Sequence, residues 1–359
     1  MKGLIAAGGR ATRLRPITHT VNKHLIPLAN KPLIEYAIEK MADAGITDIA
    51  ININPGDTEM PAALGNGSRW GVSLTFIEQT GGPKGVGHIV LNAKDWVGNE
   101  PFVFYLGDNI VLGPITPLVE RFQKEKLDCL LALSRVQDPN RFGVPEIKDG
   151  KIVRVLEKPE QAPTPYAVTG IYIYQPCVFD AGALISPSAR GEYEISDIHT
   201  KLIEQGKNVG YEEVTGWWKD TGKPEDMLEG NALLLAQMSN PHISPDALIE
   251  PGAQITGPVS IGRGTRVSAG SIITGPVSIG DDCVLTDAIV GPDVALGCRV
   301  RVAGTGIKRS LVMDDAALTG PCRIADSMIA RFARISAKDG SPRESSRFLL
   351  GDHGVVELS

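Results

Sequence analysis

The sequence predicts an α/β domain followed by a parallel β-helix, and three observations carry that prediction. Up to about residue 238, strand-like apolar runs alternate with helix-like ones, the pattern of a mostly parallel sheet covered by helices. Beyond Asn240 the composition turns to Gly, Pro, Val and Ile, and an aliphatic residue recurs at every sixth position: Ile243, Ile249, Ile255, Ile261, Val267, Ile273, Ile279 and Leu285. The string Thr-Gly-Pro-Val-Ser-Ile-Gly stands at 256–262 and again at 274–280. Three hexads make one turn of a stacked solenoid whose sixth residue points inward, so the copied string is one whole turn repeated. The composition change divides the chain into residues 1–240 and 241–359.

Strands are expected at 3–7, 49–53, 73–78, 101–106, 129–134 and 167–174, where β-branched and aromatic residues cluster between turn residues. The clearest helix spans 32–44, with Leu33, Tyr36, Ala37, Ile38 and Met41 on one face and Gly45 as its stop. A polar hairpin, Lys148-Asp149-Gly150-Lys151, leads into a strand-like run at 152–156. A helix over 224–238, opened by Pro224, closes the first domain. The aliphatic beat resumes at Val290, Leu296 and Val302; residues 336–347 are polar and turn-rich, and 348–358 suits either a last strand or a cap.

With 359 residues the chain is long enough for two domains with their own cores. A formal net charge of −6, with both signs mixed along the chain, argues against a nucleic-acid or anionic-membrane partner. The sequence offers neither an apolar run of about 18 residues nor a charged-then-apolar leader, so a cytoplasmic location is expected. Cys129, Cys177, Cys283, Cys298 and Cys322 are odd in number and widely spaced, which suits reduced thiols better than a disulfide frame or a zinc site.

The first strand runs into Gly8-Gly9-Arg10-Ala11-Thr12-Arg13-Leu14-Arg15-Pro16 and then Asn22-Lys23-His24. Lys2, Arg10, Arg13, Arg15, Lys23 and Lys31 all precede the first acid, Glu35, in a chain that is acidic overall. Glycines after a strand let backbone N–H groups wrap a phosphate while Arg and Lys neutralise it, so this loop reads as a site for a nucleotide or sugar phosphate. Neither GxxxxGK[ST] nor GxGxxG is present, which disfavours a P-loop ATPase and an NAD enzyme.

Open sheets of this kind bind ligands at the carboxyl ends of their strands. Leu106-Gly107-Asp108-Asn109 follows one such strand, and Asp220 follows Trp217-Trp218-Lys219. Two carboxylates are what Mg²⁺ needs when phosphates and waters supply its remaining oxygens, although Asp beside Gly also forms plain turns. Glu157-Lys158 sets a sugar-hydroxyl acceptor beside a phosphate-binding ammonium, or else is an exposed ion pair. Gln79, ahead of Gly81-Gly82-Pro83-Lys84-Gly85, offers a donor and an acceptor to a base edge; an ordinary loop is the plainer alternative.

These segments, together with Phe142-Gly143-Val144, Thr169-Gly170-Ile171-Tyr172, Gly191-Glu192-Tyr193-Glu194-Ile195-Ser196-Asp197 and Trp218-Lys219-Asp220-Thr221-Gly222, resemble the ordered motifs of glucose-1-phosphate thymidylyltransferases over the full chain. The resemblance is to the long form, and it implies a Rossmann-like mixed-sheet nucleotidyltransferase domain over 1–240. A left-handed β-helix with a C-terminal cap would follow over 241–359.

The implied reaction joins glucose 1-phosphate and dTTP into dTDP-glucose and pyrophosphate, with Mg²⁺. The resemblance has Arg13 hold the triphosphate and Lys23 bridge nucleotide and sugar phosphate, Asp108 and Asp220 bind the metal, Gly8, Gly9, Gln79 and Gly85 enclose the nucleotide, and Gly143, Glu157, Lys158 and Gly170 position the sugar and its phosphate. Arg10 stands at a variable position and takes no role.

One departure is Ala11, where the family usually has glycine. If that backbone is left-handed, alanine costs roughly 1–2 kcal/mol. UTP in place of dTTP, another sugar 1-phosphate, and a non-catalytic subunit are the rival readings; the retained Arg13, Lys23, Asp108 and Asp220 favour an enzyme. A solenoid acyltransferase would need a histidine base, and none lies between His242 and His353. The solenoid is expected to support a homo-oligomer.

Overall fold

The computed structural model describes residues 1–9, 11–238, 241–338 and 345–359. Arg10, the domain boundary expected at 240 and the middle half of the turn-rich stretch at 336–347 lie outside the described residues. By packing, the chain divides into two compact units that are not consecutive in sequence: Met1–Gly9 with Ile34–Asp220, and Arg10–Leu33 with Thr221–Ser359.

The first unit is built on a seven-stranded mixed sheet. Besides helices such as Leu33–Asp43, which bears out the helix expected over 32–44, its elements include, in chain order, β1 (Lys2–Ala6), β2 (Asp48–Ile53), β3 (Ser73–Glu78), α1 (Val86–Asn92), β4 (Phe102–Leu106), β5 (Asn109–Val111), β6 (Cys129–Arg135), β7 (Gly143–Lys148), β8 (Lys151–Glu157), β9 (Tyr166–Tyr174), α2 (Ile195–Glu204), β10 (Val209–Glu213) and β11 (Trp218–Asp220). The sheet order is β10-β6-β9-β4-β1-β2-β3. β4, β1, β2 and β3 run parallel, and β9 lies antiparallel between β4 and β6.

β4 reads Phe-Val-Phe-Tyr-Leu and is buried on both faces, as a continuous apolar run requires. Its Phe102 packs against Tyr174 and Phe179, with ring centroids 5.5 and 5.8 Å apart, and burying each such ring stabilises the unit by roughly 1.5–3 kcal/mol. The expected hairpin turn forms between β7 and β8, with Asp149 and Gly150 at φ 50° and 73°, the pairing a two-residue turn of the primed type demands.

In the second unit, three parallel sheets of seven, six and six strands stack into a parallel β-helix. Successive turns pair in register, Val259 with Val277 and Val277 with Val294, so the repeat shortens from 18 residues to 17 at the point where the aliphatic beat slips before Val290. Asp287, at φ 48°, sits in the shortened corner. Ile261, Val267, Ile273, Ile279, Leu285, Val290, Leu296 and Val302 all point into the core.

Ile243 departs from the expected inward file: it bridges to Ile261 but is 44% exposed, because the first turn has a neighbouring coil on one side only. The open question at 348–358 resolves to strand: Leu349–Leu350 pairs with Met328–Ile329, and Val355–Leu358 with Arg334–Ala337, so this stretch is one more coil.

The corners are laced by ion pairs between consecutive coils, Arg263 to Asp281 at 2.9 Å, Arg299 to Asp315 at 2.7 Å and Arg309 to Asp326 at 2.7 Å. These exposed pairs set register more than they add stability. The segment from residue 11 belongs to this unit, as does the helix Pro224–Ala236. Among the described residues, no helix is long and apolar enough to cross a membrane, and all five cysteines are free.

Candidate active site

Parallel strands β1, β2 and β3 end side by side, and their carboxyl ends deliver three amides to one place. A Cβ on Gly8 would lie 3.4 Å from both Asn52 Oδ1 and Asn54 Oδ1, and 3.5 Å from Gln79 Oε1. Gly9, at φ 109°, needs to be glycine; its N–H donates to Asn54 Oδ1 at 3.0 Å, and Asn54 Nδ2 donates back to its carbonyl at 3.2 Å. Asn52 is 1% exposed and its Oδ1 has no hydrogen-bond partner among the described residues, an unusual cost for a buried acceptor. Buried polar atoms left open beside a glycine loop suit a ligand that brings its own donors.

Gln79 is itself 3% exposed, with Nε2 3.1 Å from His88 Nδ1. Burial, then the nearby Lys84 ammonium, lowers the His88 pKa, which favours the neutral ring that can accept from the amide. Gly85 opens α1 at φ 93°, and a side chain there would drive a Cβ to 2.8 Å from the Tyr193 carbonyl. The Tyr193 backbone in turn joins this loop, donating to Lys84 O at 2.7 Å and accepting from Gly87 N at 2.9 Å.

Across the same cleft, which encloses about 260 Å³, stand Glu157, Lys158, Arg190, Glu192 and Glu194. Ser196 on α2 donates to Glu157 Oε2 at 2.8 Å, while Lys158 Nζ and Arg190 Nη2 approach Glu157 Oε1 at 3.3 and 3.5 Å. Arg190 is gripped more tightly by Glu194, at 2.8 Å. Lys158 takes a left-handed φ of 43°, a strained backbone for a lysine, and its N–H is held by the Phe142 carbonyl at 3.0 Å. Gly143 pairs directly with Glu157, and a Cβ there would press to 2.9 Å from Ser196 Oγ.

The two candidate metal carboxylates stand at one end of a single strand pair. β5 and β11 run antiparallel with Asp220 opposite Asn109, the residue after Asp108. Asn109 fixes both partners: its Nδ2 donates to Asp108 Oδ1 at 2.8 Å and its Oδ1 accepts from Trp218 Nε1 at 2.7 Å. Gly170 sits in a register shift of β9, where any side chain would reach 2.7 Å from the Asn109 amide carbon. Burial, and then the charges of Glu157 and Asp108, with Cys129 and Asp220 contributing less, push the Tyr172 phenol well above its ordinary range. Among the described residues no three His, Cys, Asp or Glu side chains converge as a metal cage.

The structure thus gathers Gly8, Gly9, Gln79, Gly85, Glu157 and Lys158 around one cleft, sets Asp108 beside Asp220, and lays Gly143 and Gly170 against their supports. Arg13 and Lys23 belong to the other unit. Arg13 is exposed on the turn Thr12–Leu14, whose Leu14 is buried; Lys23 is 9% exposed on the turn Lys23–Leu25, where Asn22 Oδ1 accepts from His24 N at 3.0 Å. Ala11 adopts φ 41° and ψ 47°, so the left-handed backbone that was a condition in the sequence is met, and Thr18 Oγ1 secures its carbonyl at 2.8 Å.

Sequence reasoning missed Asn52, Asn54 and Arg190. The first two had a signal, polar residues interrupting and ending the apolar strand Ile49-Ala50-Ile51-Asn52-Ile53-Asn54. Arg190 had none beyond standing next to Gly191.

Residues 2–237 match the nucleotidyl transferase family model, and 240–275 match the bacterial transferase hexapeptide model of six repeats. The low-salt glycan biosynthesis nucleotidyltransferase Agl11 of Haloferax volcanii is 40% identical, covering 100% of both chains. The glucose-1-phosphate thymidylyltransferase of Streptomyces antibioticus is 38% identical over 100% of this chain and 99% of its own. A Bacillus anthracis protein described as a glucose-1-phosphate thymidylyltransferase, solved with sucrose, superposes with a TM-score of 0.61 at 41% identity, over 65% of this chain and 94% of that one. The chain therefore belongs to the nucleotidyl transferase family, as an enzyme whose catalytic fold continues into the hexapeptide repeats of a left-handed parallel β-helix.

Proposed function

We propose that this enzyme condenses glucose 1-phosphate with dTTP, giving dTDP-glucose and pyrophosphate. The observation that carries the proposal is the cleft with two chemically distinct sides: buried amides and glycines on one, and Lys158, Arg190 and Glu157 on the other. The amide side suits a base and its deoxyribose. Gln79, oriented by His88, can accept from a pyrimidine N3–H and donate to its O4. The charged side suits a phosphosugar, with cations for phosphate and carboxylates for hydroxyls. The names of the full-length relatives support the same pair of substrates.

In this reading one phosphate oxygen of glucose 1-phosphate attacks the α-phosphorus of dTTP while the bond to the pyrophosphate oxygen breaks. Little covalent work falls to the protein, so its residues position and neutralise. Lys158 would hold the phosphate of the incoming sugar, Arg13 the departing pyrophosphate, and Lys23 the charge that develops between the two substrates. Asp108 and Asp220 fit Mg²⁺, which is bound by one or two carboxylates together with substrate phosphates rather than by a protein cage. A Mg²⁺ ion bound there supplies charge neutralisation of the phosphates.

The test is product analysis with dTTP, Mg²⁺ and glucose 1-phosphate. Pyrophosphate and a nucleoside-diphosphate sugar in equal amounts, both dependent on the sugar, are expected. Pyrophosphate without sugar dependence would replace transfer by hydrolysis and overturn the proposal.

A further inference from the structure

We infer that the β-helix is the platform that positions the segment carrying Arg13 and Lys23, and that Asn30 is its positioning residue. Asn30 occupies the second place of a two-residue turn between Pro27–Leu28 and Lys31–Pro32, with Ala29 and Asn30 at φ 48° and 63°. Its Nδ2 donates to Ser278 Oγ at 2.9 Å and to Leu296 O at 2.8 Å. Those acceptors lie on successive coils, where Ile279 pairs with Leu296. One amide nitrogen therefore spends both of its protons on two adjacent rungs of the β-helix.

The turn has a second fastening. Ala29 N donates to Asn231 Oδ1 at 2.8 Å, and Asn231, fully buried on the helix Pro224–Ala236, sets its Nδ2 3.5 Å from Asp293 O at the start of the coil that contains Leu296. A third lies earlier in the segment. Pro16 packs on Gly351, where a Cβ would stand 3.3 Å from both Pro16 Cβ and its carbonyl oxygen.

Gly351 follows Leu349–Leu350, the last strand of the sheet that contains Ser278 and Leu296. From Leu296 to Leu350 that sheet climbs three rungs, about 14 Å at the usual strand spacing. The segment is thus fastened at two well-separated points of one rigid face, with Lys23 between them and Arg13 just before the first. Displacing a catalytic group by about 1 Å can cost roughly a hundredfold in rate, and rigid elements hold such groups better than loops do. The inference rests on the proposed contact of Lys23 with the substrate phosphates.

The test is a double-mutant cycle in the full chain, read as kcat and KM with melting temperature recorded for every variant. Asn30→Ala is expected to lower kcat by about tenfold or more, with KM values changed far less, and Ser278→Ala, which keeps the Leu296 acceptor, by about two- to fivefold. In a Lys23→Ala background, already slow, Asn30→Ala is expected to have a much smaller effect on the residual rate, because most of its effect passes through Lys23, nearer to it along the chain than Arg13.

Normal turnover by Lys23→Ala would overturn the role given to Lys23 itself. A slow Lys23→Ala with a normal Asn30→Ala, or with losses that multiply in the double variant, would overturn the positioning role and leave the catalytic reading intact. Should Asn30→Ala fail to fold, Ser278→Ala decides in the same cycle: a normal kcat, or a loss undiminished in the Lys23→Ala background, overturns the inference.

Discussion

The β-helix and the cleft of the α/β unit treat polar groups in opposite ways. Along the β-helix the corner arginines close on aspartates of the next coil, and Thr265 and Thr305 bond the carbonyls of Gly280 and Gly320 within the stack. In the cleft, Asn52 leaves a buried oxygen open, Gln79 is buried beside it, and Lys158 carries a strained backbone. A repeating element satisfies its own groups and builds stability. A binding site withholds that satisfaction until a ligand arrives.

The contrast is broken most severely at Asp108. Asp108→Asn should lower Mg²⁺-dependent turnover by a factor of about 1,000, the scale of losing one preorganised electrostatic group, with the melting temperature nearly unchanged; steady-state kinetics beside calorimetry checks both halves. Leu318→Ala should do the reverse. This side chain is fully buried in the β-helix, so denaturant titration should find about 2–5 kcal/mol lost while the kcat of the folded fraction holds.

His199 sharpens the comparison within the α/β unit. It is buried with Nε2 2.6 Å from the Tyr174 hydroxyl, Nδ1 lacks a partner among the described residues, and burial lowers its pKa to about 3. The unfolded ring titrates near 6.5, so below that pH the unfolded chain binds a proton the folded one refuses. Stability should therefore fall as pH drops from about 6.5 towards 3, by up to about 1.4 kcal/mol per unit, and His199→Gln should flatten that slope in unfolding curves taken across the range.

The smallest effect belongs to Ala11. Ala11→Gly relieves a left-handed alanine and should raise stability by at most about 1 kcal/mol, seen as a small gain in denaturant midpoint.

The two regions were also unequally legible. The β-helix announced itself because each turn repeats the last, and even its slip before Val290 was visible as a missing residue. In the α/β unit, β3 and β4 were readable from local apolar runs. The cleft was readable only in part, because Asn52, Asn54 and Arg190 acquire meaning when separate strand ends and a loop converge, and convergence leaves no local pattern. The fastening of Asn30 to Ser278, 248 residues later, is the extreme case. Asp108 and Asp220 stood out through their neighbouring glycines, yet their pairing depends on β5 meeting β11.

The proposed function stands or falls on whether the buried amide side of the cleft reads a pyrimidine, thymine before uracil. Its direct test is kcat/KM for dTTP, dUTP, UTP, CTP, ATP and GTP with glucose 1-phosphate, on the wild-type chain and on Gln79→Ala. The highest value is expected for dTTP, with dUTP, which lacks only the methyl group, behind it by roughly 10- to 200-fold, UTP, which adds a 2′-hydroxyl, also behind, and a collapse of the pyrimidine preference in Gln79→Ala. A purine preference, or a pyrimidine preference that survives the loss of Gln79, would contradict it.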